Sequence, residues 1–327
     1  MRTTRFAITI TTLLAALASA PAAAHPGAGI VVDAAGQVYF VHGPTSRIFR
    51  IDATGKLTVH CTAKGGQGPA VPHHLVLDRD GSLYTTSDKG GEFWRIAPDG
   101  AATRVPLPVE HRDVAALGFG GNPFTRSGDG AIYGVVAQPP TVSAVFRVDS
   151  AGACKRLAGG ERGSQDGKGD ATRFDDLHGA GMALDRDGNL LITDGGRRIR
   201  RLSPDGTVTT LAGGEDRAFV DGPADRARFV YAMGLAAGAD GAVYIADAQA
   251  RRIRKLSTTG DVTTLAGDGD SGGDDGPAAE ASFDTPAGVA VDGAGNLFVL
   301  DWFGSKDGVR VRRISRDGMV TTLASVE

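Results

Sequence analysis

One pattern recurs along this chain at intervals of about 50 residues. It reads GMALDRDGNLLITDGGRRIRRLSPDGTVTTLAGG from Gly181, GLAAGADGAVYIADAQARRIRKLSTTGDVTTLAGDG from Gly234 and GVAVDGAGNLFVLDWFGSKDGVRVRRISRDGMVTTLA from Gly288. Earlier copies begin near Gly29 and His74, and a more diverged one near Pro123. A repeat of this kind constrains architecture more than any single residue does. One unit cannot bury its apolar face alone and must stack on its neighbours.

The copy at Gly181 divides into four short segments. Met182–Leu184 is apolar, Arg186-Asp187-Gly188 is a turn, and Asn189–Thr193 is a second apolar run. Arg198–Leu202 alternates charged and apolar side chains, the period-2 pattern of a strand with one wet face. Pro204-Asp205-Gly206 forms a turn, because proline presets φ and glycine accepts φ > 0. Thr207–Leu211 is rich in β-branched residues, as a strand should be. Gly supplies 48 of 327 residues, about twice its usual share, which fits many tight turns between short strands rather than helices. Four antiparallel strands, A to D, repeated six times predict an all-β chain folded as a six-bladed β-propeller. The blades begin near residues 29, 74, 123, 181, 234 and 288, in one domain spanning 25–327. The chain enters on strand A of blade one and leaves on strand D of blade six. No strand is then shared between first and last blades, and side-chain packing alone closes the ring.

The G-x-A-x-D strand, the Asp-Gly turn, the closing T-x-x-L-A and the pairs Arg198-Ile199-Arg200, Arg252-Ile253-Arg254 and Arg310-Val311-Arg312 resemble the NHL repeat family, whose members form six-bladed propellers. The resemblance covers nearly all of 25–327 and is sharpest in blades four to six. The segment VPHHLVLDRDGSLYTTSDKGGEFWRIAPDG, from Val71, is similar to blades of streptogramin lyase. His73 falls where gluconolactonase-type propellers carry a metal-ligating Asn, and the peptidylglycine amidating lyase propeller gathers histidines from several blades around a metal. The resemblance implies a metal that polarises a carbonyl or activates water. The matching entries in the other blades hold Ala28, Asn122, Ala180, Met233 and Ala287, of which only Asn122 suits a metal.

The first 24 residues read as an export signal. Arg2 and Arg5 precede an apolar run, Phe6 to Leu17, and Ala22-Ala23-Ala24 suits signal cleavage. The run is too short for a permanent membrane span, so the expected location is periplasmic or secreted, with no transmembrane segment. The net charge of −3 becomes more negative once Arg2 and Arg5 are removed, which argues against nucleic acid as a partner. A monomer is expected. Cys61 and Cys154 fall in repeats one and three, too far apart in a ring for the about 7 Å between Cα atoms that a disulfide tolerates, so two unbridged thiols are expected.

The loops entering blades four to six share a second motif: DGKGDATRF from Asp166, DGPADRARF from Asp221 and DGPAAEASF from Asp275. Apolar residues at fixed offsets usually pack, so Phe174, Phe229 and Phe283 are expected to plug the gaps between blades. The stretch Asp268 to Gly276 crowds carboxylates on flexible backbone. It reads as a solvated acidic turn or as part of a Ca²⁺ site lacking the usual closing Glu.

Antiparallel order places the loops into each blade on the same face as the B–C loops, and all seven histidines map to that face. The candidate ligand-binding face is His42, His73, His74, Asn122, His178, Tyr231 and Trp302. Of these, His42, His73, His74 and His178, with Asp194, are candidate ligands for Zn²⁺ or a similar metal. The Asp ending strand B recurs as Asp194, Asp247 and Asp301, which suits a structural cap. Blades one to three break that rule, and the functional site is expected there. Two functions follow. One is a binding scaffold for a peptide, protein or glycan; the other is a metal-dependent lactonase or lyase using the histidines at the central mouth.

Overall fold

The computed structural model describes residues 29–63, 68–87, 92–105, 123–138, 142–304 and 308–327. The signal-like segment, His25, Ala28, His111 and Asn122 lie outside them. Six antiparallel sheets are built from consecutive stretches of chain. Blade 1 comprises Ile30–Val32, Val38–His42, Arg47–Ile51 and Leu57–Thr62. Blade 2 comprises Val76–Leu77, Leu83–Thr86, Phe93–Ile96 and Ala102–Val105. Blade 3 comprises Phe124–Arg126, Ile132–Gln138, Val142–Val148 and Cys154–Glu161. Blade 4 comprises Met182–Leu184, Leu190–Asp194, Arg198–Leu202 and Thr207–Gly213. Blade 5 comprises Ala232–Ala237, Val243–Asp247, Arg252–Leu256 and Asp261–Ala266, and blade 6 Thr285–Val291, Leu297–Phe303, Gly308–Ile314 and Met319–Val326. In each set the strands are A to D in chain order. Each strand A touches the strand A of the next blade, and that of blade 6 touches that of blade 1, which closes the six-bladed ring.

Glycine sets how tightly the ring draws in. A Cβ on Gly29 would lie 2.9 Å from the His73 carbonyl oxygen, and Gly181 and Gly234 abut the backbone of the next blade in the same way. Only a residue without a side chain lets innermost strands approach so closely.

Two features differ from the sequence expectations. Blades 4 to 6 have five strands, not four. Gly167–Lys168, Gly222–Pro223 and Gly276–Pro277 each add a short strand outside strand D of the blade they lead into. The connecting chain therefore runs up the rim of the disc before crossing to its centre. The central arginine of strand C in blades 4 to 6 is also not on a wet face. Arg200, Arg254 and Arg312 are fully buried, and Arg198 nearly so. Blades stand side by side like the leaves of a fan, so a middle strand has a neighbour on both faces. Its alternation separates two packing layers rather than core from solvent.

The buried arginine organises the repeat. Arg200 donates to Asp194 (2.6 Å), to Asp166 (2.8 Å) and to the carbonyls of Gln165 and Arg173, and lies 5.2 Å over the Phe174 ring. Asp194 in turn accepts the backbone N–H groups of Asp175 and Asp176, and Asp166 accepts that of Thr210. Arg254 joins Asp247, Asp221 and Phe229, and Arg312 joins Asp275, Asp301 and Phe283, in the same arrangement. Phe174, Phe229 and Phe283 are fully buried between consecutive blades, as expected. The shared Asp-Gly, Phe, Arg and Thr positions are thus parts of one interblade clamp.

Blade 6 holds its clamp more loosely. Arg312 is 3.7 Å from Asp301, against 2.6 and 3.2 Å in blades 4 and 5. Burial pushes the Asp301 carboxyl up to about 6, against the pull of Arg310, the Thr285 N–H and Arg312. In the unfolded chain it titrates near 3.8. The folded protein therefore holds the extra proton between these values, and stability falls as pH rises through that window and levels off above it. Between pH 4.5 and 7.5 this contribution is expected to fall by about 2 kcal/mol. Urea unfolding of the wild type and Asp301→Asn at both pH values checks this. Parallel pH profiles would exclude it.

Among the described residues the ring closes without a shared strand. Blade 6 residues Phe298, Leu300, Val309 and Val311 pack into one core with Ile30, Phe40 and Ile48 of blade 1. Cys61 and Cys154 form no disulfide.

Candidate functional site

The loops entering strand A and those joining B to C share one face of the disc, and between blades 4 and 5 they enclose a cleft of about 250 Å³. Asp175, Asp176 and His178 reach it from the loop into blade 4 and Arg197 from the B–C loop of that blade; Arg217 and Tyr231 reach it from the loop into blade 5. The opening exists because blade 4 carries Gly195 and Gly196 where blade 5 has Ala248 and Gln249 and blade 6 has Trp302 and Phe303. Both glycines have positive φ (60° and 66°). A Cβ on Gly196 would meet the Tyr231 ring at 2.8 Å.

The walls are held by charge. Asp175 pairs with Arg197 and with Arg162 (3.1 Å), and Asp176 accepts the His178 backbone N–H (2.8 Å). Burial alone would raise the Asp175 carboxyl, but Arg197 and Arg162 overcome it and hold it below the usual carboxylate range. Arg217 donates to the carbonyls of Val230 (2.9 Å) and Gly195 (2.8 Å) and lies 5.0 Å over the Tyr231 ring. Asp194 lies beneath this surface, fully buried. Burial raises its carboxyl despite Arg200 and two backbone N–H groups.

The structure scatters the remaining candidates. His178 and Tyr231 line the cleft. His42 is buried at the seam between blades 6 and 1, its Nδ1 2.8 Å from Thr45 Oγ1 and its ring stacked 6.2 Å from Trp302 of blade 6. Trp302 and Tyr231 pack against the same small group, Met233, Ala248 and Ala287, which links the cleft to that seam. His73 and His74 neighbour each other, rings 6.5 Å apart, with the His73 backbone against Gly29. His60 is not on this face: it packs edge-on to Tyr39 at 5.0 Å and against the C–D turn of blade 2 at Gly100.

The donor set does not fit Zn²⁺. Among the described residues no three His, Cys, Asp or Glu side chains gather as a metal-holding group. Asp194 is turned inward onto Arg200, and His42 and His178 stand in different parts of the ring. Nor do the carboxylates from Asp268 to Asp275 gather as such a group among the described residues, and Asp275 is engaged by Arg312 and Thr322.

Fold and repeated clamp define a six-bladed β-propeller protein with a polar cleft on its loop face. No protein-family model matches the chain. Human teneurin-4 is 27% identical over 218 residues, covering 61% of this chain and 7% of teneurin-4, so the chain matches under a tenth of that relative's length. An auxiliary nutrient binding protein from Bacteroides thetaiotaomicron superposes with a TM-score of 0.64 at 17% identity, covering 91% of this chain and 69% of that one. Virginiamycin B lyase from Staphylococcus aureus does so at 0.53 and 16%, covering 91% and 84%. A gluconolactonase from Xanthomonas campestris gives 0.54 and 14%, covering 83% and 81%. These likenesses establish the propeller fold. No helix among the described residues is long and apolar enough to cross a membrane.

Arg162, Asp175, Arg197 and Arg217 were not singled out by the sequence reading, which favoured blades one to three. The available signal was the B–C loop: Asp194-Gly195-Gly196 breaks the repeat by shrinking, and a loss of side chains opens a cleft as surely as a gain of histidines decorates one.

Proposed function

We propose that the chain is an exported recognition propeller. Residues 1–24 serve as the export signal, and residues 25–327 act as a periplasmic or secreted, monomeric scaffold for a peptide, protein or glycan. The cleft between blades 4 and 5 carries this reading. Ligand sites are concave, largely pre-formed and furnished with a few convergent polar groups, and this one is fixed by ion pairs and backbone contacts before any ligand arrives. Asp175, kept ionised by two guanidiniums, is suited to accept hydrogen bonds and poorly suited to trade protons near neutral pH. The structural neighbour that binds nutrients supports the same reading.

The test is a mixed glycan and peptide array probed with the purified 25–327 protein, alongside Asp175→Ala and Tyr231→Ala. Hits are expected to weaken at least about tenfold in both variants, the effect of losing one charge-assisted or aromatic contact. Hits that persist in both, or an array without hits, would overturn the placement of the site.

A further inference from the structure

We infer that the ligand of this cleft is an anion, gripped by Arg217 through a carboxylate or phosphate group. The inference rests on the binding reading above and adds the charge of what binds. Three guanidiniums, Arg162, Arg197 and Arg217, line the cleft with two carboxylates, Asp175 and Asp176. Asp175 bridges Arg162 and Arg197, and Asp176 lies 3.8 Å from Arg162. Those four groups balance. Arg217 is the remaining cation, and among the described residues no carboxylate lies within ion-pair distance of it.

Arg217 is also held in place. Its two terminal nitrogens each donate to a backbone carbonyl, and its plane covers Tyr231. A guanidinium has five N–H donors in a rigid fork, so these two bonds leave others for an oxyanion. A side chain fixed in advance loses little conformational freedom on binding, which favours affinity. Carbonyl contacts orient the cation without neutralising it. The arrangement is specific to blade 4 and its neighbour. It depends on the Gly195 carbonyl and on the room beside Gly196, and the matching B–C loop of blade 6 carries Trp302 and Phe303 in their place.

Isothermal titration at low and moderate salt separates the cases, with trigalacturonate, inorganic phosphate and neutral maltotriose as probes. The proteins are the wild type, Arg217→Ala, Arg217→Lys and, as a control on the other face, Arg186→Ala. An anionic probe is expected to bind at least about tenfold more weakly to Arg217→Ala, with partial rescue in Arg217→Lys, no change in Arg186→Ala and weakening by salt. Preference for trigalacturonate marks a carboxylate ligand, and preference for phosphate a phosphorylated one. Equal binding of maltotriose, insensitive to Arg217→Ala, would overturn the inference while leaving the binding reading intact, as would array hits confined to neutral compounds. No anion binding at low salt, together with array hits lost in Asp175→Ala, would do the same. If neither array nor titration shows binding in the cleft, both fall.

Discussion

Arg200→Ala is expected to destabilise the propeller by about 3–5 kcal/mol, the range for removing one partner of a buried ion pair. The cause is less the lost attraction than what remains. Asp194 is fully buried, and without Arg200 its carboxylate keeps only the two backbone N–H groups of Asp175 and Asp176. Asp166 loses the cation that fixes it above strand D. The Arg201→Ala change, one residue on and exposed, is expected to stay within about 0.5 kcal/mol. Urea unfolding of the two variants makes the comparison. Equal, small losses would mean that the clamp is not organised as described.

Phe229→Ala is expected to cost a comparable amount, about 3–5 kcal/mol, because its ring is fully buried and the site cannot collapse around an alanine. The residue sits among Leu191 and Ile199 of blade 4 and Val243 and Ile245 of blade 5, under the Arg254 guanidinium. Strands on both sides are fixed by their own ladders, so neither blade can move in to fill the void. Phe229→Leu, which keeps most of the apolar contact, is expected to lose roughly half as much. Thermal unfolding of both variants would show it, and a loss below about 1 kcal/mol for the alanine variant would remove the plug from the account.

Much of the architecture was legible because a repeat multiplies weak signals. The strand limits read from the copy at Gly181 differ from those observed by no more than two residues. The burial of Arg200 was not legible for a physical reason. Alternation along a strand records that its two faces differ, but not that both are covered. The rim strands were hidden because Gly222-Pro223 and Gly276-Pro277 are built from residue types depleted in strands. Placement around the ring was the largest gap. Strand phase assigns His42 and His178 to one face, but the angle between their blades sets them apart, and no spacing in the sequence encodes that angle. The cleft was not legible from residue types, because the side chains missing at Gly195 and Gly196 define it rather than any group that is present.

Five of the six joints in this disc have a chain running across them. Among the described residues the sixth, from blade 6 to blade 1, has none; it relies on a shared apolar core and on the stack of His42 upon Trp302. Separating any other pair of blades strains a connector, whereas separating this pair only wets a surface. The disc therefore has one built-in slit. Slow breathing of the whole ring has a natural place to begin, a third of a turn from the cleft between blades 4 and 5, and the packing shared by Trp302 and Tyr231 couples that opening to a molecule held there.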